Sequence, residues 1–218
     1  STGLDGKQYF VPQSWYPWGL HYRKSMVKEL GLDPENIATF DDMIKMFDAM
    51  KKKGLVGFAA GDKGGWEAMG TFDIINARLN GYQFHVDLLA GREKWTDQRV
   101  IDVFKQWELL LPYTNKNVLD LEWDGAMQLL LQKKAGSTLM GSWFGGNFKE
   151  KSQEDYDDLW IVPFPEINPE HGVDTIDAPI DGFCVAANGA NTAVGKDFIK
   201  FAGDKEGMQA MLDTGIPM

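Results

Sequence analysis

The stretch from Thr39 to Gly61 joins a helix pattern directly to a strand pattern, and this junction constrains the fold more than any other feature. Thr39 is placed to cap a helix, with Asp42 three residues on to complete a capping box. Apolar residues then recur at helical spacing, lysines fill the last turn, and Gly54 follows. Residues 55–61, LVGFAAG, form a continuous apolar run that is typical of a buried strand. A helix that leads directly into a buried strand is a building block of an α/β fold.

The same alternation continues along the chain. Further strands are predicted over residues 7–13, 137–142, 159–165 and 182–188. Further helices are predicted over residues 19–31, 67–79, 97–111 (capped by Thr96), 123–136 and 193–215. This order predicts an α/β fold whose mixed, partly parallel sheet is flanked by helices. In such sheets the loops beyond the strand ends carry the ligand site.

The charge balance and the single cysteine narrow the classes of ligand. With 22 Lys and Arg against 32 Asp and Glu, the net charge of −10 disfavours nucleic acid and anionic membranes as partners. Cys184 lies in an apolar run and is predicted to be a buried small hydrophobe. With one cysteine and three scattered histidines, neither a metal site nor a cofactor is expected. No apolar stretch is long enough to span a bilayer. The N-terminus lacks a signal-peptide pattern, so we expect any targeting segment to be absent from these residues.

Tryptophan is unusually frequent, with 8 among 218 residues, and several tryptophans lie beside Gly, Pro or Ser. Four clusters follow a predicted strand or begin a helix: Trp15, Tyr16 and Trp18; Trp66; Trp123 and Asp124; and Trp143, with Gly141 and Ser142 before it. A single tryptophan of this kind is more often a core residue. Trp95, Trp107 and Trp160 are assigned to the core, while Tyr22 and Tyr82 are left open between packing and a site.

Flat aromatic faces near carboxylates suit carbohydrate, because a pyranose ring has an apolar C–H face and a rim of hydroxyls that need polar partners when buried. A carbohydrate-active enzyme is the first alternative, with Glu122, Asp124 or Asp181 as acid or base, although nothing in their spacing requires it. A protein-interaction module is the second alternative. The sequence contains no GxSxG, P-loop, HExxH or dinucleotide-binding motif. Asp62 and Asp73 are predicted to be solvated.

Longer segments carry a family resemblance. DGKQYFVPQSWYPWGLHYRKSMVKELGLD, TFDDMIKMFDAMKKKG, LLQKKAGSTLMGSWF and IDGFCVAANGANTAVGKDFIKFAGDKEGMQAMLDTGIP occur in this order. Together they resemble the extracellular solute-binding proteins of ABC-type sugar importers, the family that includes maltose-binding and glucose-binding proteins. The resemblance implies one lobe of a type II periplasmic-binding-protein fold. It assigns residues 1–12 to a crossover strand and residues 13–180 to the second lobe. Residues 181–218 then form the returning crossover strand and a helix that packs on the first lobe, most of which is missing.

The resemblance also implies a function and a set of ligand contacts. It implies a sugar receptor with no catalysis, in which two lobes close around a mono- or oligosaccharide and then dock on the permease subunits of an ABC transporter. The location would be periplasmic or extracellular, with or without a lipid anchor in the full-length protein. This lobe alone should bind sugar weakly or not at all. The implied ligand contacts are Trp15, Tyr16, Trp18, Trp66, Trp123, Asp124, Gly141, Ser142, Trp143, Asp181 and Phe183.

Overall fold

A computed structural model describes residues 5–213 of the chain. Contacts between Cα atoms divide these residues into two compact units. The small unit contains residues 5–17 and 178–213, and the large unit contains residues 18–177. The assignment of residues 13–180 to a second lobe stays a prediction. No helix within the described residues combines the length and the apolarity that a bilayer crossing requires.

The elements of the large unit alternate between strand and helix. In chain order after strand β1 (Val11–Trp15) of the small unit, they are β2 (Trp18–Arg23), α1 (Lys24–Glu29), α2 (Phe40–Lys52), β3 (Val56–Ala59), α3 (Glu67–Leu89), α4 (Gln98–Glu108), α5 (Trp123–Leu131), β4 (Ala135–Gly141), α6 (Trp143–Lys151), α7 (Gln153–Asp158) and β5 (Leu159–Val162). Short 3₁₀ turns at Leu111–Tyr113 and Val118–Asp120 connect α4 to α5.

The sheet of the large unit has the strand order β3, β4, β2, β5. Strands β3 and β4 are parallel, whereas β2 runs antiparallel to both β4 and β5. The predicted α/β class with a mixed, partly parallel sheet is therefore confirmed. Every residue of β2 and β4 is buried, which is expected for central strands covered by helices.

The small unit contains β1 (Val11–Trp15), β6 (Ile180–Phe183), α8 (Thr192–Ala202) and α9 (Lys205–Asp213). Strands β1 and β6 pair antiparallel in a sheet of their own. The prediction that Cys184 is buried is wrong, because Cys184 is exposed. An apolar run indicates burial only where another layer covers it, and β6 beside Cys184 is largely exposed. The last two residues of the helical region predicted over 193–215 lie outside the described residues.

Helix α2 forms as its sequence predicts. Thr39 Oγ1 accepts a hydrogen bond from the Asp42 N–H, and the Asp42 carboxylate accepts one from the Thr39 N–H. Both halves of the capping box are therefore present, and the two lysines of the last turn face the negative end of the helix dipole. Tyr22, which the sequence left open, is a core residue whose hydroxyl donates to the Pro34 carbonyl.

The helix predicted over residues 19–31 is wrong in its first half, where residues 18–23 form β2. Trp18, Leu20 and Tyr22 alternate with Gly19, His21 and Arg23, and this period of two is the strand pattern. The alternation is hidden in the sequence because β2 is buried on both faces, so polar residues also lie inside. Pairing with β4 on one side and β5 on the other satisfies the backbone of these residues.

Other differences lie near helix ends. Asp97, and not Thr96, caps α4 by accepting the Arg99 N–H. Helix α3 continues past the predicted end to Leu89 through a kink at Gly81, whose φ of 83° is open to glycine. Residues 143–158, for which no helix or strand was predicted, contain α6 and α7. The core assignment is wrong for Trp95 and Trp160, which are 54% and 39% exposed.

Buried His21 gives the fold a specific dependence on pH. Its Nε2 lies 3.2 Å from the Met140 carbonyl, its ring contacts Phe144, and burial lowers its pKa to about 4. In the unfolded chain His21 binds a proton below about pH 6.5, whereas in the folded chain it stays neutral until about pH 4. The folded state is therefore destabilised relative to the unfolded state as the pH falls towards 4. We expect His21 to lower the free energy of unfolding by about 3 kcal/mol between pH 6.5 and pH 4. In His21→Gln, urea unfolding between pH 7 and pH 4.5 should show a correspondingly smaller acid loss, and an unchanged loss would contradict the assignment.

Asp177 gives the stability a pH dependence of opposite sign to that of His21, so it serves as a control. Burial first, and then the charge of Asp73, raise the pKa of Asp177 to about 6. The folded state therefore binds the proton of Asp177 more tightly than the unfolded state does, and the stability that this proton gives is lost as the pH rises through about 6. In Asp177→Asn this position no longer titrates, so the variant should not show this loss. Between pH 7 and pH 4.5, the loss of stability on acidification should thus be larger in Asp177→Asn, and smaller in His21→Gln, than in the unchanged protein. Asp73 is half-buried and its pKa is also raised by burial, so its prediction as a solvated residue is wrong.

Candidate functional site

The sheet brings two of the predicted aromatic clusters together at one strand end. Strand β2 begins at Trp18, and its antiparallel register places Trp18 opposite Gly141, the last residue of β4. Trp143 follows after one residue and begins α6. Residues that are far apart in the chain therefore meet because the start of one strand lies beside the end of the other.

Three indole rings form what we call the tryptophan cluster, consisting of Trp18, Trp66 and Trp143. The ring centroids are 5.7 Å apart for Trp18 and Trp143, 6.1 Å for Trp18 and Trp66, and 5.9 Å for Trp66 and Trp143. Trp18 meets both partners edge to face, which is a favoured arrangement of aromatic rings. Trp18 is only 5% exposed, whereas Trp66 and Trp143 are half-buried and keep part of their surface open.

Gly141 allows the Trp143 ring to take its place in the cluster. A Cβ atom built on Gly141 would lie 1.7 Å from Trp143 Cζ3, which no side chain could occupy. Trp18 packs similarly onto the first turn of α3, where a Cβ on Gly70 would lie 2.6 Å from its ring. These two close approaches fix the rings against β4 and α3, so their arrangement exists before any ligand arrives.

Carboxylates surround the Trp66 side of the cluster. Asp62 accepts the Ala68 N–H at 3.0 Å, at the positive end of the α3 dipole. Gly64 lies between the Trp66 ring and the Glu122 carboxylate. A Cβ atom built on Gly64 would lie 3.1 Å from Trp66 Cδ1 and 3.2 Å from Glu122 Oε2. Glu67 is 5% exposed, and its pKa is raised by burial and, to a smaller extent, by the charges of Asp62 and Glu122.

The buried Trp18 side chain also carries an unused hydrogen-bond donor. Its Nε1–H is buried and has no hydrogen-bond partner in the structure. A buried donor without a partner costs free energy, so a ligand oxygen or a water molecule in reach of this atom would be stabilised. The cluster thus offers apolar ring faces, one N–H donor and nearby carboxylate acceptors. Among residues 5–213, no group of three or more histidine, cysteine or acidic side chains could hold a metal ion.

The large unit contains four further predicted site residues, Gly141, Ser142, Trp123 and Asp124. Gly141 is buried and Ser142 is half-buried between β4 and α6. Trp123 is half-buried and packs against the hydrophobic core at the start of α5, while Asp124, next in that helix, is exposed.

The remaining predicted site residues belong to the small unit. Trp15 is 51% exposed in β1, and Tyr16 accepts a hydrogen bond from Ser14 Oγ at 2.7 Å. Asp181 is exposed in β6, and Phe183 contacts Phe198 edge to face at 5.4 Å. As ligand contacts, all eleven residues stay predictions.

Sequence reasoning did not select Asp62, Gly70 or Glu67 as site residues. An acidic residue in the first turn of a helix usually indicates only interaction with the helix dipole, so the signal of Glu67 is ambiguous. Its burial depends on β4 and on residues 107–119, which lie far away in the sequence. Asp62, which the sequence predicts to be a solvated loop residue, is half-buried and accepts a hydrogen bond from the Ala68 N–H.

Comparison with known proteins places the chain in a family. The family model of the bacterial extracellular solute-binding proteins matches residues 1–209. An uncharacterised ABC transporter extracellular-binding protein of Pyrococcus horikoshii is 29% identical over 85% of this chain and 40% of its own length. A multiple sugar-binding protein of Streptococcus mutans is 24% identical over 97% of this chain and 51% of its own length.

Among solved structures, a bacterial solute receptor described as having an exclusive preference for β-D-galactopyranose superposes with a TM-score of 0.85 and 38% identity. That superposition covers 99% of this chain and 54% of the receptor. The chain thus spans about half or less of the length of these relatives. Because the family model matches nearly the whole chain, the protein belongs to the bacterial extracellular solute-binding protein family.

Proposed function

We propose that this chain is the second lobe of a carbohydrate receptor that serves an ABC transporter. The observation that carries the proposal is the tryptophan cluster, in which the centroids of three indole rings lie 5.7–6.1 Å apart beside the start of β2 and the end of β4. The half-buried faces of Trp66 and Trp143 suit the C–H face of a sugar ring. The Trp18 Nε1–H and the carboxylates of Asp62 and Glu122 suit its hydroxyls.

Relatives of the chain support the same class of ligand. The Streptococcus mutans relative is described as binding multiple sugars, and the solved receptor at 38% identity as preferring β-D-galactopyranose. We infer that a mono- or oligosaccharide stacks on the cluster and that a first lobe closes over it and excludes water. A disaccharide has about two dozen heavy atoms, and at roughly 0.3 kcal/mol each it would bind with a micromolar Kd. No bond of the sugar is broken in this scheme.

The small unit supports the participation of a first lobe. Helix α8 exposes Val194, Phe198 and Phe201 by 69%, 53% and 44%, and their spacing places them along one helix face. A contiguous apolar face of this kind is typical of a surface that packs against another element. We propose that the first lobe covers it, that the closed receptor docks on the permease subunits, and that the protein acts in the periplasm or outside the cell, with or without a lipid anchor.

The proposal predicts that Trp143→Ala weakens sugar binding by the intact protein at least tenfold, because one stacking face is lost. Calorimetric titration with D-galactose, diacetylchitobiose and stachyose identifies a bound sugar first and then measures the variant. Circular dichroism spectra of the variant should match those of the unchanged protein. An unchanged affinity would remove Trp143 from the site.

Trp160→Ala is the matched control for this experiment. Trp160 lies in the same unit, on β5, and is 39% exposed, but it does not belong to the tryptophan cluster. Its loss removes the same side chain from the surface without touching the proposed site, so sugar affinity should stay unchanged. Equal losses in both variants would point to a general effect of removing tryptophan and would contradict the proposal. Product analysis by chromatography tests the absence of catalysis.

A further inference from the structure

Besides the tryptophan cluster, the large unit contains a cavity. Its volume is about 270 Å³, and it lies between the ends of β3 and β4, the first turn of α3 and residues 107–119. None of the three tryptophans of the cluster lines it. An apolar cavity of about 150 Å³ already binds benzene, so this one has room for a small organic molecule.

The side chain that distinguishes this cavity is Glu67, which lines it and is only 5% exposed. Both carboxyl oxygens of Glu67 are buried and have no hydrogen-bond partner in the structure. A buried carboxylate without donors is costly, so an occupant of the cavity that brings donors within reach of Glu67 would be stabilised.

The threonine hydroxyls of the walls do not supply these donors. The cavity is also lined by three threonines, and each hydroxyl already donates to a backbone carbonyl: Thr71 to Glu67 at 3.2 Å, Thr114 to Leu110 at 3.0 Å and Thr138 to Ala59 at 2.8 Å. Apart from the indole N–H of Trp107, the polar side chains of the lining are therefore carboxyls and hydroxyls that accept hydrogen bonds.

The charge of the lining is entirely negative. Asp62 lines the cavity together with Glu67, and no lysine, arginine or histidine does. The remaining walls are mainly apolar and include Phe58, Trp107 and Leu139. A complementary occupant has a positive, donor-rich head and an apolar body. An ammonium group fits this description because it carries three donors, no acceptor and one charge.

The cavity has both an opening and a firmly held wall. Leu111 and Leu119 line it and are 60% and 74% exposed, so they mark its mouth at the surface. The segment between them is held by Asn115, whose side chain accepts the Ala60 N–H at 2.8 Å and donates to the Ala60 carbonyl at 2.9 Å. A small molecule can therefore enter without disruption of the sheet.

We propose that this cavity binds a small primary ammonium ion with an apolar body, and that Glu67 is its charged partner. Burial is the main cause that raises the pKa of Glu67, and an ammonium ion beside the carboxylate would reverse the effect. The site shares Asp62 with the proposed sugar site, but none of the three tryptophans lines it and its ligand carries a positive charge.

The test titrates the intact protein at neutral pH with benzylamine and with benzyl alcohol, its neutral counterpart of similar shape. Calorimetry should show benzylamine binding at least tenfold more tightly than benzyl alcohol. Glu67→Gln keeps the shape of the side chain but removes its charge, and should weaken benzylamine binding at least tenfold while leaving benzyl alcohol unchanged. Glu150→Gln removes an exposed carboxylate of α6 that does not line the cavity and should leave benzylamine binding unchanged.

Several outcomes would overturn the proposal. Equal affinity for the two compounds would show that the charge of Glu67 is not used, and absence of binding at millimolar concentration would indicate a cavity filled with water only. The comparison of the two compounds on the unchanged protein stands even if Glu67→Gln fails to fold. Trp143→Ala should retain benzylamine binding, so the amine site and the sugar site can fail independently.

Discussion

Gly141→Ala is expected to weaken sugar binding by the intact protein at least a hundredfold. The new Cβ atom would lie 1.7 Å from Trp143 Cζ3, so the Trp143 ring has to leave its position. The displaced ring loses its stacking face and disturbs Trp18 and Trp66, which it contacts. Calorimetric titration with the sugar that the unchanged protein binds measures the effect. The fold should persist, because overpacking of this kind costs about 1–3 kcal/mol.

Gly146→Ala is the matched control for this substitution. Gly146 lies in α6 with the same side-chain change, but a Cβ there has no atom within 4 Å. Alanine also favours the helix over glycine, so the fold should gain slightly and sugar affinity should stay the same. If Gly141→Ala binds sugar as well as Gly146→Ala does, the position of the Trp143 ring does not matter for binding and the proposed site is wrong.

Arg23→Met is expected to have the largest effect on stability, lowering the free energy of unfolding by about 3–5 kcal/mol. Arg23 is 2% exposed and lies at the end of β2, where its guanidinium contacts Asp155 at 2.5 Å and Asp158 at 3.2 Å. The side chains of Asp155 and Asp158 are 21% and 19% exposed, and both would lose their contact with the arginine. Urea unfolding of the intact protein, followed by tryptophan fluorescence, measures the loss.

Two further variants separate the buried charges from a general loss of arginine. Arg99→Met removes an arginine whose pairs with Asp97 and Glu93 are exposed to solvent, so its stability should hardly change. Adding Asp155→Asn and Asp158→Asn to Arg23→Met removes the unpaired carboxylates and should restore part of the lost stability. A loss of equal size in Arg99→Met, or no recovery in the triple variant, would contradict the buried ion pairs as the cause.

Local patterns predicted much of the secondary structure. The capping box of Thr39 and Asp42 needs only residues within one turn, so helix α2 could be located from the sequence. The alternation of helices with apolar strands gave the α/β class for the same reason. The helix predicted from residue 19 onwards was wrong over residues 19–23, because β2 is buried on both faces and therefore contains polar residues on its buried faces. These polar residues pair with distant partners, as Arg23 does with Asp155 of α7.

The candidate site shows the same division. The sequence by itself indicated that tryptophans follow strand ends and begin helices, since the glycines and the strand patterns beside them are local signals. Only the tertiary structure decided that Trp18, Trp66 and Trp143 meet, and that Glu67 is buried without a partner while Trp95 and Trp160 are exposed. The physical reason is that a helix or turn is stabilised by its neighbours in the chain, whereas burial and contact depend on which distant strands pair and in which register.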